Sequence, residues 1–443
     1  MPESSILNEL TSIVGGENAV QDSHLLESSS VDGVIPRIVL FPDSIEQISE
    51  IMKAASRAGA SVVPRGSGTK RGIGNKPISA DIVLSTRKLN RVIAHESSDL
   101  VATTECGIAL SDLQSYLGGK NQFLPVDPPH VRGGATVGGI LATNDSGPLR
   151  FRYGTSRELL IGMKVVRADG SIFKGGSKVV KNVAGYDMPK LFVGSLGTLG
   201  IITEATFRLY PVPESSKTYI ACFESVGKAH DTVRSLINSN LVLNAMEHMN
   251  PGLAGNITER LGLGSDFNRY TLAVRIMNVS RAVSDQVKTV SDISQKNSGK
   301  GLIIEARNEE AFWHEVREFP WRSSDGAFAV LKAGVLISDV PRVFLLLDEL
   351  SDKLGIRARA SARAGNGILI ISIDGDGESV INSVRGLREL SESAGGSLVV
   401  REASPDIKLA LDVWGGMGSS LGLMKRIKSA FDPGNILNPG RLF

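Results

Sequence analysis

Gly133-Gly134-Ala135-Thr136-Val137-Gly138-Gly139, Asn182-Val183-Ala184-Gly185-Tyr186-Asp187 and Gly194-Ser195-Leu196-Gly197-Thr198-Leu199-Gly200-Ile201-Ile202-Thr203 decide how this chain is read. All three lie between Arg132 and Tyr210. Of the 48 glycines, 14 fall between Val131 and Gly200, more than that length would carry by chance. Glycine gives up the most backbone freedom on folding, so it disfavours helix and strand interiors. Such a cluster is tolerated where main chain must approach something closely or take a positive φ. A large phosphate-bearing cofactor, bound through peptide N–H groups, fits that requirement.

Composition narrows the rest. The 443 residues are about three domains' worth of chain. The 42% hydrophobic and 22% charged content is that of a soluble globular protein with a substantial core. The 49 basic and 47 acidic residues nearly cancel, which argues against a nucleic-acid footprint or a basic membrane patch. No apolar run approaches the ~20 residues of a membrane-spanning helix. The N-terminus lacks a basic region followed by a long apolar one, so no signal peptide is expected. The two cysteines, Cys106 and Cys222, argue against a disulfide framework and agree with a reducing cytoplasm.

Outward from the glycine-rich stretch, apolar spacing places the elements. Ile6, Leu10 and Ile13 predict a short N-terminal helix. Ile45, Ile48, Ile51, Met52 and Ala55 predict another, capped by Asp43 with Glu46 or Ser44 with Gln47, and ended by Gly59. Strands are expected at 61–63, 82–84 and 100–104, and a helix at 109–117. Residues 163–173 read as a hairpin turning at Ala168-Asp169-Gly170. A strand at 201–209 ends at Pro211 and Pro213, the best boundary in the chain. Beyond it a β-α-β-β-α-β order occurs twice. The first copy has strands at 218–223, 241–247, 271–277 and 302–306, with helices at 226–237 and 282–294. The second has strands at 327–336, 357–360, 367–373 and 397–401, with helices at 341–354 and 379–393. This predicts a duplicated ferredoxin-like domain with an antiparallel sheet. An amphipathic helix from Leu421 and a turn-rich path, Asp432-Pro433-Gly434 to Asn438-Pro439-Gly440-Arg441, close the chain.

The strand ending at Val63 delivers the chain to Pro64-Arg65-Gly66-Ser67-Gly68-Thr69-Lys70. Its alternating glycines can turn successive N–H groups inward as a nest for a pyrophosphate. Ser67 and Thr69 would add hydroxyl donors, while Arg65 and Lys70 would offset charge. A Walker A loop is excluded because Arg71 follows Lys70 where Ser or Thr is needed. A Rossmann fingerprint is excluded because Gly72 falls one residue too far along. Taken alone, the loop is equally well a surface turn. The second loop, Gly133 to Asn144, repeats paired glycines followed by small residues, and the third can offer strand backbone.

Together these residues resemble the FAD-binding domain of the vanillyl-alcohol oxidase / p-cresol methylhydroxylase (PCMH-type) superfamily. Within it they are most similar to the FAD-binding E subunit of bacterial glycolate oxidases. The likeness runs through 64–70, 128–166 and 181–211, and returns at 412–443; the middle is diverged. It implies an α+β fold, with a PCMH-type two-subdomain FAD-binding domain at 34–214. A duplicated ferredoxin-like cap with an antiparallel sheet follows at 215–404. Residues 1–33 would be a lead-in, and 405–443 would return to the FAD domain.

The resemblance implies that Pro64, Arg65, Gly66, Ser67, Gly68, Thr69 and Lys70 wrap the FAD pyrophosphate. Pro128, Gly133, Gly134, Ala135, Thr136, Gly138, Gly139, Thr143 and Asn144 would contact pyrophosphate and flavin. Gly200, Ile201 and Ile202 would offer main chain on the adenine side. It also implies FAD-dependent oxidation of a 2-hydroxy acid such as glycolate or D-lactate. The work would be done beside a catalytic flavoprotein subunit and an iron–sulfur subunit, in the cytoplasm or peripherally at the inner membrane through those partners. With two cysteines the chain cannot itself ligate a cluster that needs about four.

Several departures sharpen the expectation. The first loop has no histidine and the second no cysteine, so the FAD should be non-covalent. Cys106 reads as a small core residue. The Gly-Glu-His-Gly and histidine-flanked Gly-Asp-Gly-Asn motifs of the catalytic dehydrogenases are missing. Ala364-Gly365-Asn366-Gly367 would be a remnant of the second, and Leu196 replaces the family's glutamate. The six histidines show no ligand spacing, so no metal is expected. His130 could take the hydroxyl proton as hydride leaves the α-carbon, and Arg152 could clamp a carboxylate. A structural His130 and an Arg152 paired with phosphate or a nearby acid is the plainer alternative. Lys181, Asn182 and Tyr186 would brace a loop, and Trp414 would pack in a core. An assembly subunit without turnover, or an oxidase of another alcohol, would retain the same loops.

Overall fold

The computed structural model describes residues 3–176, 187–264, 267–321 and 326–443. Lys181, Asn182 and Tyr186 lie outside them. The chain divides into two compact units. One comprises residues 1–146, 154–212 and 417–443; the other comprises 147–153 and 213–416.

Among the described residues the first unit holds two larger sheets and a two-stranded one. In one, β1 (Ala19–Val20), β2 (Ile38–Leu40), β3 (Val62–Arg65) and β4 (Ile82–Ser85) run in the order β1-β2-β4-β3. β2, β3 and β4 are parallel. The Ile-Val-Leu runs of β2 and β4 are apolar and buried because a parallel strand is covered on both faces. The β2-to-β3 crossover carries helix Ile45–Ala58. Ser44 accepts from the Gln47 N–H at its start, and Gly59 ends it in the left-handed region at φ 65. That helix buries Ile48, Ile51 and Met52 in one cluster with Ile6, Leu10 and Val14 of helix Glu3–Val14.

The other sheet is antiparallel. It contains β5 (Val92–Glu96), β6 (Val101–Glu105), β8 (Leu160–Val166), β9 (Ile172–Gly176) and β10 (Ile201–Arg208), in the order β5-β6-β10-β8-β9. β7 (Gln122–Phe123) and β11 (Tyr210–Pro211) pair separately. The β8–β9 hairpin turns at Gly170, φ 79, as its sequence predicts. Cys106 is fully buried with Ile140, Leu141 and Phe207 in one core.

The C-terminal tail extends the parallel sheet. The Val62 N–H donates to the Ile436 carbonyl at 2.7 Å, and the Asn438 N–H donates back to the Val62 carbonyl at 3.0 Å. Leu437 thus lies parallel to β3 on its open edge. Lys428 pins this arrangement, donating to the carbonyls of Thr198 (2.9 Å) and Leu437 (2.8 Å) and to Asp432.

The second unit is built on one eight-stranded antiparallel sheet. Its strands are β12 (Ser215–Phe223), β13 (Ala245–Met249), β14 (Tyr270–Asn278), β15 (Lys300–Glu305), β16 (Ala327–Gly334), β17 (Arg357–Arg363), β18 (Ile368–Gly375) and β19 (Ser397–Ala403). The order β15-β12-β14-β13-β17-β18-β16-β19 is two ferredoxin-like repeats, 4-1-3-2 and 2-3-1-4, joined where their second strands meet. The join is short: Glu247 faces Arg363, His248 faces Ala362 and Met249 faces Ser361. Alternation sorts the faces. Ala358, Ala360 and Ala362 of β17 enter the core shared with helices Val226–Ile237, Ser280–Lys296, Val340–Leu354 and Gly377–Ser393. Arg359, Ser361 and Arg363 alternate with them on the opposite face.

Two details differ from the sequence reading. The strand expected at 241–247 begins only at Ala245, because Val242 is held in a loop by the Gln286 side chain, 2.7 Å away. Helices Pro251–Leu261 and Ala306–Glu318, not anticipated, cover the other face of the first repeat. Residues 147–153 dock on this unit. The Asn244 amide donates to the Tyr153 hydroxyl at 3.1 Å and Arg363 Nε to the Gly147 carbonyl at 3.2 Å. Trp414 packs against the same core, as expected.

Candidate cofactor site

In the first unit a cleft opens to solvent beside the glycine-bearing loops. Its wall contains Pro64 to Lys70 unbroken, and Ala135, Thr136, Gly139 and Thr143 from the second loop. Two segments some 70 residues apart therefore face one space. Sequence reasoning placed them together only through the resemblance.

The glycines explain how closely the loops meet. A Cβ on Gly66 would fall 2.0 Å from Thr136 Oγ1, so only a bare Cα lets them touch. The Ser67 hydroxyl donates to the Gly134 carbonyl. Thr136 caps helix Val137–Thr143, accepting from the Gly139 N–H at 3.3 Å. Gly68 has φ 80, a region that costs an L-residue about 1–2 kcal/mol. Gly68→Val should therefore fold with reduced stability and bind FAD at least about tenfold more weakly. Fluorescence titration of the apoprotein checks this, and affinity equal to the native chain's would contradict it.

Several expected roles change. The Ser67 hydroxyl is committed to Gly134, and the Thr143 hydroxyl donates to its own helix at Gly139, 2.8 Å away. Neither hydrogen is left for a phosphate. Lys70 sits 2.9 Å from Asp145, and both side chains are buried, so its charge is offset by protein rather than kept for the ligand. Besides Lys70, the basic residues lining the cleft among the described residues are Arg65, Arg71 and Arg441. Arg65 Nε is buried without a partner among the described residues. Burial first, and then the neighbouring Arg71 and Arg87, lowers the Arg65 pKa. An anion seated there would relieve both penalties. A pyrophosphate would fit these walls, where Arg65 and main-chain N–H groups of 66–69 would hold it.

Other expected residues lie elsewhere. A Cβ on Gly133 or Gly134 would come within van der Waals reach of Thr69 or Ser67. Gly138 packs against Cys106, whose carbonyl accepts its N–H at 2.7 Å. Pro128 is buried, and Asn144 ends the helix in the left-handed region. Gly200 is a packing glycine, since a Cβ there would meet Val165 at 2.4 Å. Ile201 and Ile202 point into two cores and pair with β8. None of these lines the cleft. From the third segment it is Leu196, at φ 53, that does. His130 has φ 64 and accepts the Ala135 N–H through its carbonyl at 3.0 Å; it positions the second loop. Arg152 is exposed and belongs to the second unit.

Sequence reasoning missed Asn438 and Arg441, which also line the cleft. The Asn438 amide donates to the Leu196 carbonyl at 2.7 Å. The buried Arg441 guanidinium donates to Asp32 at 2.9 Å, to the Asn75 carbonyl at 2.6 Å, and to the Arg71 carbonyl. Among the described residues no His/Cys/Asp/Glu cluster could hold a metal, and no histidine, cysteine or tyrosine lines the cleft.

Comparison with known proteins agrees with this geometry. Residues 36–176 match the family described as the FAD binding domain. Residues 212–399 and 418–442 match the C-terminal domain of FAD linked oxidases. The chain is 30% identical over 424 residues to the glycolate oxidase subunit GlcD of Bacillus subtilis strain 168, covering 92% of this chain and 89% of that one. It is 28% identical over 420 residues to a D-lactate dehydrogenase of Archaeoglobus fulgidus, covering 91% of each. In fold it is similar to p-cresol methylhydroxylase with substrate bound, with a TM-score of 0.80 at 18% identity over 99% of this chain and 96% of that one.

Proposed function

Since the chain belongs to the FAD-linked oxidase family, we propose that it oxidises a small 2-hydroxy acid, glycolate or D-lactate, with non-covalent FAD. The observation that carries the cofactor assignment is the cleft itself, where Arg65 and a glycine main chain face one anion-sized need. Among the described residues that line it there is no histidine, cysteine or tyrosine for a covalent flavin link. When bound, FAD supplies a two-electron acceptor for the hydride. The protein's part is to seat the pyrophosphate at 65–69 and to hold the second loop in place through His130. The names of the relatives support the substrate class.

A second reading has its own observation. The turn Ala364–Gly367 between β17 and β18 lacks the family's histidines, and Phe151 rests on Gly365 so closely that a Cβ there would lie 2.1 Å from its ring. That turn has no space for a ligating side chain at 365. On this reading the chain is a flavin-bearing subunit that gains turnover only beside a catalytic flavoprotein subunit and an iron–sulfur subunit. No helix among the described residues is long and apolar enough to cross a membrane, so attachment at a membrane would run through those partners.

One experiment separates the readings. Glycolate or D-lactate added anaerobically to the purified holoprotein should bleach the flavin absorbance. Bleaching that needs the partner subunits would favour the second reading. No bleaching under either condition would remove the 2-hydroxy acid assignment.

A further inference from the structure

Arg441 is a buried residue of the cleft wall, and its guanidinium ties the tail to segments far apart in sequence. Its guanidinium holds the carbonyls of Arg71 and Asn75, so both ends of the turn that follows the glycine loop are fixed by one planar group. Its third partner, Asp32, lies in a tight turn closed by the Val31–Val34 bridge, and Val31 itself lines the cleft. The neighbouring tail tightens the arrangement. The Ile78 N–H donates to the Pro439 carbonyl at 2.9 Å, and the Asn75 N–H to the Arg441 carbonyl at 3.2 Å. A planar five-donor group suits this task, whereas an ammonium would satisfy one segment at a time.

We propose that Arg441 and Asp32 form a clasp that sets how tightly the cleft holds its dinucleotide, with Arg441 as a positioning residue that acts through the carbonyls of Arg71 and Asn75. This rests on the FAD reading above. Without Arg441, the carbonyls of Arg71 and Asn75 lose a buried partner and the Arg65–Lys70 loop loses that support. Its peptide N–H groups are then no longer pre-aligned for a pyrophosphate, and binding must order them first.

The test compares native chain, Arg441→Lys, Arg441→Met and the double variant Asp32→Asn with Arg441→Met. FAD affinity is read by flavin fluorescence, and the melting temperature of each apoprotein is read separately. Arg441→Met should bind FAD at least about tenfold more weakly and Arg441→Lys should fall between it and the native chain. The double variant removes the stranded buried charge, so it should regain most of the apoprotein melting temperature while its FAD affinity stays low. Native affinity in Arg441→Met, or in Arg441→Lys should the methionine variant not fold, overturns the clasp. So does joint recovery of melting temperature and affinity in the double variant. A native chain that takes up no FAD would instead overturn the cofactor reading.

Discussion

Lys70→Met is expected to destabilise the apoprotein by about 3–5 kcal/mol, because it leaves the buried Asp145 carboxylate without its ion partner. The two side chains are 7% and 11% exposed and 2.9 Å apart. An exposed pair would be worth about 0–1 kcal/mol, so burial makes the difference. The two residues also tie the end of the first cofactor loop to the end of the second, so the variant should lose FAD as well as stability. Urea unfolding of the apoproteins measures the first effect. Adding Asp145→Asn to Lys70→Met should restore much of the lost stability, since a neutral buried pair avoids the stranded charge. A single variant within about 1 kcal/mol of the native chain would show that the pair is solvated and not structural.

The second large effect is on pH. His248 is fully buried in the second unit, edge-on to Phe344 at 4.8 Å between ring centroids and near Tyr270 at 6.2 Å. Neither ring nitrogen has a partner among the described residues. Burial first, and then His230, lowers its pKa from 6.5 to about 3. The Asp348 carboxylate is tied to this cluster, accepting from the Tyr270 hydroxyl. The folded imidazole is therefore neutral. The unfolded one takes up a proton below pH 6.5, so between pH 6.5 and 3 the unfolded state binds more protons and stability falls with pH. The loss should reach about 3 kcal/mol by pH 4.5. His248→Leu removes the titrating group and should flatten that part of the acid limb. Parallel loss of stability in native and variant chains between pH 7 and 4.5 would refute this source of acid sensitivity.

Much of the fold was legible because local signals and tertiary structure agree. Ser44 and Gly59 frame a helix in sequence and do so in the structure. The alternating alanines and arginines of β17 could be read as a strand with two unlike faces. Helix Pro251–Leu261 escaped notice because Gly252 and Gly255 weaken its propensity, yet Gly252 is required where a Cβ would meet the Ala358 carbonyl at 2.4 Å. The cleft wall was legible at 64–70, where the glycine spacing marks it. It was not legible where the determinant is a pair distant in sequence: Lys70 with Asp145, or Arg441 with Asp32. Each such residue alone resembles an ordinary surface charge. Gly200 misled for a related reason, since a glycine needed for close packing cannot be told in sequence from one needed by a ligand.

The mirrored order of the eight-stranded sheet has a consequence for any fragment of it. Residues 215–305 or 327–403 expressed separately would each expose the strand that ordinarily meets its counterpart, β13 or β17. That bare edge is the complement of a strand in the same topological position. Each half should therefore associate with a second copy of itself about a dyad, recreating as a homodimer what the intact polypeptide achieves within one molecule.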